Sequence, residues 1–389
     1  MAQDKAYWWF VQCGNGIKSR AAISKVQANE TGDEILTLVK NLHIAQNTIT
    51  LRESITINAV LSHGKAHSDK CKSITQYKIR SPAPLLIFTM ATKQHIQDFL
   101  SGFTAETTPG SAAKIPNFND HLEPGAWVYI TFLPGSDFND TVAVAKRLRE
   151  EGFEPIPHFA ARSIPNHQTL QENLDKVTSE AGVSRVLCIA GAVDKPVGDF
   201  TDSTQLLETG LFDQFGIKHI AVAGHPEGSP DMSDESIMAA LQWKNRFKEA
   251  SDAEMHVVTQ FVFEADPIIK WDQMLRAEGN KLPIHIGVPG LATLKTLLMH
   301  AKACGIGASM KVLTKQAKNI SKLLVVNTPD KLVHDLAEYQ ATDPNCGITG
   351  VHMYPLGGLR RTAKWSYAVS RGEFTLNGKG GFTVDTDIS

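Results

Sequence analysis

Seven polar residues of this chain stand at one kind of place, the end of a short apolar run or the positions just beyond it. Glu106 ends Phe103-Thr-Ala-Glu106, Thr131 ends Val128-Tyr-Ile-Thr131, and His158 ends Pro155-Ile-Pro-His158. Asp194 follows Val186-Leu-Cys-Ile-Ala-Gly191, His225 ends Ile220-Ala-Val-Ala-Gly-His225 with Glu227 two residues on, and Gln260 ends Val257-Val-Thr-Gln260. A glutamate desolvated at a partly apolar mouth keeps its proton more readily and can act as a general acid. Gln260 offers two amide donors and a carbonyl acceptor, a set suited to a planar hydrogen-bonding edge. Both also have ordinary roles. A lone glutamate before Thr107-Thr-Pro109 is often an N-cap or surface carboxylate, and a strand-end glutamine often bonds the neighbouring backbone. His158, between Pro157 and Phe159, can equally be a satisfied core histidine. Residue types alone leave both readings open.

What positions these residues is a repeated unit. Two further runs, Ile284-His-Ile-Gly-Val-Pro289 and Val351-His-Met-Tyr354, bring the total to eight. Stretches with apolar spacing of three and four predict helices over 140–151, 170–181, 233–250, 268–278 and 291–303. Gly152, Gly182, Gly279 and Gly305 fall just past these stretches, where a left-handed residue is wanted, and Asp137, Ser233 and Asp266 sit where N-caps would. Repeated β-α units imply parallel strands with right-handed crossovers, and eight suffice to close. The expected fold is therefore an α/β (β/α)8 TIM barrel over residues 81–375, with an N-terminal extension over 1–80 and a tail over 376–389. Active sites of such barrels lie at the carboxyl ends of the strands, so the seven residues should converge. An open doubly wound sheet is the alternative, but no Gly-x-Gly-x-x-Gly follows the first strand.

Composition sets the bounds. The 389 residues are 42% hydrophobic and 21% charged, with a net charge of −2. That balance lacks the basic surplus of a nucleic-acid binder and favours small-molecule chemistry. No run reaches the roughly 18 apolar residues of a membrane span, and no secretory h-region follows Met1, so a cytoplasmic protein without membrane contact is expected. Residues 1–80 carry 11 Lys and Arg against 6 Asp and Glu, while the remainder carries 28 against 35, so the extension is a different object. It holds an aromatic cluster at Tyr7 to Phe10 and one amphipathic stretch around Glu34 to Leu42. It reads equally as a poorly ordered arm, a strand pair across the barrel or a segment removed from the mature protein. Within it His63, His67 and Cys71 have i, i+4, i+8 spacing, but Gly64 interrupts them and no fourth ligand is evident, so no metal is assigned. The five scattered cysteines lack Cys-x-x-Cys spacing and read as reduced thiols.

Several of these segments, in order, resemble one family. Ala105-Glu-Thr-Thr-Pro109, Ile156-Pro-His-Phe-Ala-Ala-Arg162, His225-Pro-Glu-Gly228, Val258-Thr-Gln-Phe-Val-Phe-Glu264 and Val288-Pro-Gly290 are similar to strand-end motifs of the methylenetetrahydrofolate reductases. The resemblance covers roughly residues 99–370. It implies reduction of 5,10-methylenetetrahydrofolate to the 5-methyl form with NADH or NADPH, through FAD, with Glu106 as the general acid. It further implies that Thr131, His158, Gly191, Asp194, His225 and Glu227 line the flavin, that Lys244 or Lys248 reaches its diphosphate, and that Gln260, Phe263 and Arg360 hold the folate.

The chain also departs from the pattern. Ala190 and Ala192 stand where flavin-binding members carry the Arg and Asp of Arg-Gly-Asp, and Asp194 follows two residues later. His225 replaces a usual tyrosine, Ser229 a frequent second histidine, and Arg360 lies later than the expected arginine after strand eight. Two alternatives therefore accompany the reading. One is direct hydride transfer from nicotinamide without flavin; the other is a non-catalytic folate- or flavin-binding subunit working with a methyltransferase. Homo-oligomerisation stays open.

Overall fold

The structure, a computed structural model, describes residues 91–229, 232–303, 314, 323–378 and 380–388, and the backbone of four strands between residues 8 and 79. It divides into two units, 1–90 and 91–389. In the first, β1 (Trp8–Cys13), β2 (Ile17–Ala21), β3 (Ile55–Val60) and β4 (Ile74–Ile79) form an antiparallel sheet in the order β2-β1-β3-β4. The helix expected over Glu34 to Leu42, the His63 to Cys71 spacing and Gly305 lie outside the described residues.

The second unit is the barrel. Its strands are β5 (Thr104–Thr107), β6 (Trp127–Ile130), β7 (Glu154–Ala160), β8 (Arg185–Ile189), β9 (His219–Gly224), β10 (Glu254–Phe261), β11 (Ile284–Pro289) and, after a two-stranded insertion, β14 (Ile348–Tyr354). All neighbours are parallel, and β14 returns to β5 with His352 opposite Thr104, which closes the ring. The insertion pairs β12 (Ala292–Thr293) with β13 (Val326–Asn327), antiparallel. No sequence period announced it, because two-residue strands carry none.

The helices appear with shifted ends: α1 (Lys93–Leu100), α2 (Pro109–Ala112), α3 (Phe138–Glu150), α4 (His167–Ala181), α5 (Ser203–Glu208), α6 (Leu211–Gln214), α7 (Asp234–Ala250), α8 (Ala265–Ala277), α9 (Leu294–Ala303), α10 (Asp330–Thr342) and α11 (Leu359–Ser370). Capping explains their starts. The Asp137 carboxylate accepts from the Asn139 amide before α3, and the Ser233 hydroxyl from the Ser236 amide before α7. Gly182 ends α4 in the left-handed conformation, φ 57°. Asp266 differs from expectation: Glu264 occupies the cap position of α8, and Asp266 lies in the first turn, where its charge faces the helix dipole.

Alternation sorts the strand residues into two layers. Val128, Phe159, Val186, Cys188, Val222 and Val257 belong to the main core that also takes in helix residues such as Leu148, Leu174 and Ile268. Tyr129, Ile156, Leu187, Ala221 and Val258 form a second buried cluster, with Trp127 and Ile189 packed on it. These fill the barrel. Each large apolar side chain so buried stabilises the fold by roughly 1.5–3 kcal/mol. Around Trp127 the filling turns polar: the Arg185 guanidinium lies 4.2 Å from the Trp127 ring centroid and 3.6 Å from Glu154, and His219, His256 and His285 surround the indole. Where β10 meets β11, Gly287 is required, because a Cβ there would lie 2.6 Å from the Thr259 carbonyl oxygen. At the carboxyl end β15 (Phe374–Asn377) and β16 (Gly381–Val384) form a hairpin that buries Phe382 against Trp365 of α11, ring centroids 6.0 Å apart.

Candidate active site at the barrel mouth

Period two places Thr104 and Glu106 on the same face of β5, and the β14–β5 register brings His352 beside them. His352 Nε2 lies 3.5 Å from Glu106 Oε2, and His352 Nδ1 lies 2.8 Å from Thr104 Oγ1. The imidazole is buried, whereas the Glu106 side chain keeps 17% of its exposure, so the carboxyl group is both supported and reachable. Tyr129 packs edge-on to His352 at 4.5 Å, and its hydroxyl bonds His256 Nε2 at 2.9 Å. Burial raises the Tyr129 phenol above its ordinary range, with Arg185 pulling down and Glu106 adding to the rise. This tyrosine stays protonated.

An aromatic wall joins Phe263 to the same mouth, and Gln260 stands three residues before it at the end of β10. Phe263 contacts Phe261 at 5.7 Å, Phe261 contacts Tyr354 at 5.2 Å, and Tyr354 contacts His352 at 4.8 Å. The Tyr354 hydroxyl donates to the Thr259 carbonyl at 2.8 Å, which ties β14 to β10. The Gln260 carbonyl accepts from the Phe261 amide at 3.0 Å, so its amide group is oriented with both donors to spare in this contact. Arg360 is exposed in the first turn of α11.

The other side of the mouth is different in kind. His158 is 5% exposed, yet neither ring nitrogen has a partner among the described residues, and the same holds for Thr131 Oγ1. Burial pushes the His158 pKa down to about 4, with Glu106 opposing and His352 assisting. Beside His158 opens a cleft of about 300 Å³, bounded by Phe132, Phe138, Ala160, Asn173 and Lys176. Gly191 adopts φ +94°, and a Cβ there would approach the Ala160 methyl to 3.1 Å, so only glycine fits that turn comfortably. Ala192 and Asp194 are exposed in the loop that follows. That loop is held by Arg162, whose side chain donates to the Thr201 carbonyl at 2.9 Å and the Val193 carbonyl at 3.4 Å.

After β9, His225 and Glu227 lie half-buried in a turn. Burial, aided by Lys244, takes His225 down to about 4. Lys244, midway along α7, is 5% exposed; burial lowers its pKa to about 8, with Cys188 and Asp202 pulling it back up. Lys248 is half-buried in the last turn of α7, toward the opposite end of the barrel from the strand carboxyl ends. Among the described residues no group of three His, Cys, Asp or Glu is placed to hold a metal, and no helix is long and apolar enough to cross a membrane.

Comparison with known proteins fits this geometry. The family described as methylenetetrahydrofolate reductase matches residues 114–355, more than half of the chain. The chain belongs to the methylenetetrahydrofolate reductase family. "Methylenetetrahydrofolate reductase 2" of Saccharomyces cerevisiae is 23% identical over 174 residues, which are 42% of this chain and 27% of that protein. "Methylenetetrahydrofolate reductase 1" of Schizosaccharomyces pombe is 33% identical over 108 residues, 27% of this chain and 16% of that protein. The chain thus spans about a quarter or less of the length of these relatives. A Clostridium thermocellum protein whose structure binds two copies of 5-methyl-5,6,7,8-tetrahydrofolic acid aligns over 72% of this chain and 97% of its own, with 13% identity and a TM-score of 0.44.

A flavin site is tested by whether buried polar groups lack partners where a heterocycle would lie. The unpartnered nitrogens of His158 and hydroxyl of Thr131 fit such a ring, while Gly191 packs closely on Ala160 in a turn that takes no side chain. The carboxylate after β8 does not fit in the same way, because Asp194 is exposed. Reasoning from sequence passed over Thr104, Tyr129, His256, His285 and His352. The signal for His352 was present in Val351-His-Met-Tyr354, one of the eight runs, whose second residue faces inward when its fourth does.

Proposed function

We propose that this protein reduces the methylene group bridging N5 and N10 of tetrahydrofolate to a methyl group, with NADH or NADPH as the source of hydride. The observation that carries the reading is Glu106 backed by His352 at a mouth that Tyr354 and Phe261 join to Phe263. Glu106 gives its proton to N10, the N10–CH2 bond breaks with its electron pair going to N10, and an N5 iminium remains. Hydride adds to the iminium carbon, and the nicotinamide is oxidised. A positioned acid of this kind contributes about 10²–10⁴ in rate. Gln260 orients the pterin edge, Phe263 packs on the substrate, and Arg360, exposed at the start of α11, meets its glutamate carboxylates.

FAD, held by Thr131, His158, Gly191, His225, Glu227 and Lys244, would relay the hydride from nicotinamide to folate. Ala190, Ala192 and the exposed Asp194 favour a second reading, direct transfer from nicotinamide, because the charged groups that flavin-binding members set there are missing.

The test is oxidation of NADH or NADPH by the purified protein in the presence of 5,10-methylenetetrahydrofolate, with the 5-methyl product identified. Absorbance at about 450 nm reports flavin, since that band belongs to the cofactor. A colourless protein with full activity supports direct transfer. Folate binding without nicotinamide-dependent turnover overturns the reductase reading and leaves a binding subunit.

A further inference from the structure

A dinucleotide reductant has two ends, and the residues around Glu106 concern only the end that gives hydride. The other end needs a place. The cleft of about 300 Å³ between α3 and α4 shares His158 with the mouth and is at the small end of ligand sites, a size suited to half a dinucleotide. We infer that this cleft takes the adenosine end of the nicotinamide dinucleotide, and that its charges select NADH over NADPH. The naming of the dinucleotide rests on the reductase reading; the nucleoside site does not.

The lining supplies what a purine nucleoside needs. Phe132, in the loop after β6, and Phe138, the first residue of α3, have ring centroids 6.1 Å apart, and Phe159 of β7 supports Phe138 at 5.3 Å. Both lining rings are half-buried, so each keeps surface on which a flat base can pack. Asn173 of α4 lines the same cleft and is 8% exposed. A desolvated amide gains most from a partner with a donor and an acceptor on one edge. Adenine offers that edge at N6 and N7, which an asparagine amide meets with two hydrogen bonds. His158 links the cleft to the chemistry: its ring lies 6.1 Å from that of Tyr129, and both its nitrogens lack partners among the described residues. A dinucleotide whose base is seated in the cleft passes His158 on its way to the mouth. Lys244, assigned above to a flavin, stands on α7 and is left to that role.

Charge decides between the two dinucleotides. Lys176 brings an ammonium to the cleft, but its Nζ donates to Asn139 Oδ1 at 2.9 Å. Against it stand two exposed carboxylates, Asp137 and Glu172. Asp137 is engaged in capping α3, where it accepts from the Asn139 amide at 2.9 Å. Glu172 accepts from Gln168 Nε2 at 2.8 Å, and a carboxylate has lone pairs for further donors. Such a group accepts readily from a ribose 2′-hydroxyl. The 2′-phosphate of NADPH would instead bring about 1.5 to 2 further negative charges to a rim that already carries an excess of one sign. NADH fits that rim and NADPH is repelled.

The test begins with equilibrium binding, read from the intrinsic fluorescence of NADH and NADPH titrated with the full chain in the absence of folate. The parent should bind NADH about tenfold or more tighter than NADPH, and adenosine 5′-monophosphate should displace NADH. Glu172→Lys should narrow or reverse the preference, by about tenfold, because the carboxylate is replaced by an ammonium. Asn173→Leu, close in volume, should weaken NADH by about tenfold through loss of the contact to the base. In turnover the same variant should raise KM for NADH much more than it lowers kcat, since the base is held alike before and during hydride transfer. Glu172 is exposed, so its variant decides even where Asn173→Leu fails to fold. A parent that prefers NADPH, or a preference untouched by Glu172→Lys, overturns the inference. Flavin content that falls in Asn173→Leu while NADH affinity stays constant also overturns it, and gives the cleft to the adenosine of FAD. A parent that binds NADH through Glu172 and Asn173 but reduces no folate keeps the nucleoside site and ends the reductase reading.

Discussion

The side of the mouth built by β14 and β5, with Tyr129 of β6 packed on it, and the side built by the carboxyl ends of β6 to β9 treat their polar groups in opposite ways. On the first, Thr104, His352, Tyr129 and Tyr354 all have hydrogen-bond partners within the protein. On the second, His158 and Thr131 keep buried polar atoms without partners among the described residues, and behind it Lys244 buries an amine midway along α7. An unsatisfied buried polar group costs about 1–3 kcal/mol, a penalty that a ligand can relieve. The contrast separates a wall organised in advance around one carboxyl group from a wall shaped to receive something. Preorganised groups accelerate chemistry because they need not rearrange as charge develops.

The largest effect should come from removing the proton on the organised wall. Glu106→Gln keeps shape and hydrogen bonding, so folate affinity should change little while turnover falls by about 10²–10⁴. Steady-state rates paired with equilibrium folate binding check this. Turnover within a few fold of the parent would show that the carboxyl group is not the acid and that the two walls do not divide the work as proposed.

On the receiving wall the expected effects are on stability and depend on pH. Lys244 has its folded pKa lowered to about 8 from 10.5, so the unfolded chain binds more protons between those values and stability rises with pH across that window. At pH 7 the buried charge therefore carries its full penalty. Lys244→Met should stabilise the fold by up to roughly 3 kcal/mol at pH 7, and the gain should shrink as pH approaches 10.5. If Lys244 holds an anionic group of the cofactor, the same variant should lose cofactor affinity while it gains stability. Denaturant melts of parent and variant at pH 7 and pH 10 decide; equal differences at both values would mean that the amine is not desolvated.

His158 works in the acid direction. Its folded pKa is about 4 against an ordinary 6.5, so the unfolded chain binds more protons between these values and stability is lost as pH falls through them. The contribution is roughly 3 kcal/mol when complete. His158→Asn, which cannot charge, should flatten the dependence between pH 6.5 and 4 relative to the parent, measured by urea midpoints. A bound ligand that bonds the His158 nitrogens should also move the parent curve. Unchanged pH dependence in the variant would place the acid sensitivity elsewhere, with His285 and His225 the next residues to test.

The same contrast explains what was legible beforehand. The barrel was, because eight apolar runs alternate with helices whose starts are marked by Asp137 and Ser233 and one of whose ends is marked by Gly182. Glu106, His158 and Gln260 were legible as strand ends. His352 and Thr104 were not singled out, because their meaning depends on β14 lying beside β5, a closure between the last strand and the first that local pattern does not encode. Tyr129 reads as an ordinary member of an apolar strand until its hydroxyl and the His256 imidazole face each other across the barrel. Loop residues were least legible: Asp194 and Arg360 lie past the ends of regular elements, where backbone course rather than period decides exposure.

The smallest effect tests the receiving wall at its weakest point. Asp194 is exposed in the loop after Gly191, so its charge is screened and Asp194→Asn should leave flavin content and the rate of flavin reduction within about twofold. Ala192 lies two residues closer to the strand, at the position where flavin-binding members carry an aspartate. If the wall takes a flavin that lacks a neighbouring carboxylate, Ala192→Asp should change flavin retention or its reduction rate by a charge-sized effect of about 1–3 kcal/mol, read from absorbance near 450 nm after gel filtration. An Asp194→Asn effect of that size would instead mean that the loop held by Arg162 turns its carboxylate inward when cofactor binds. A protein that purifies colourless and reduces folate equally in all three forms would assign the receiving wall to nicotinamide alone.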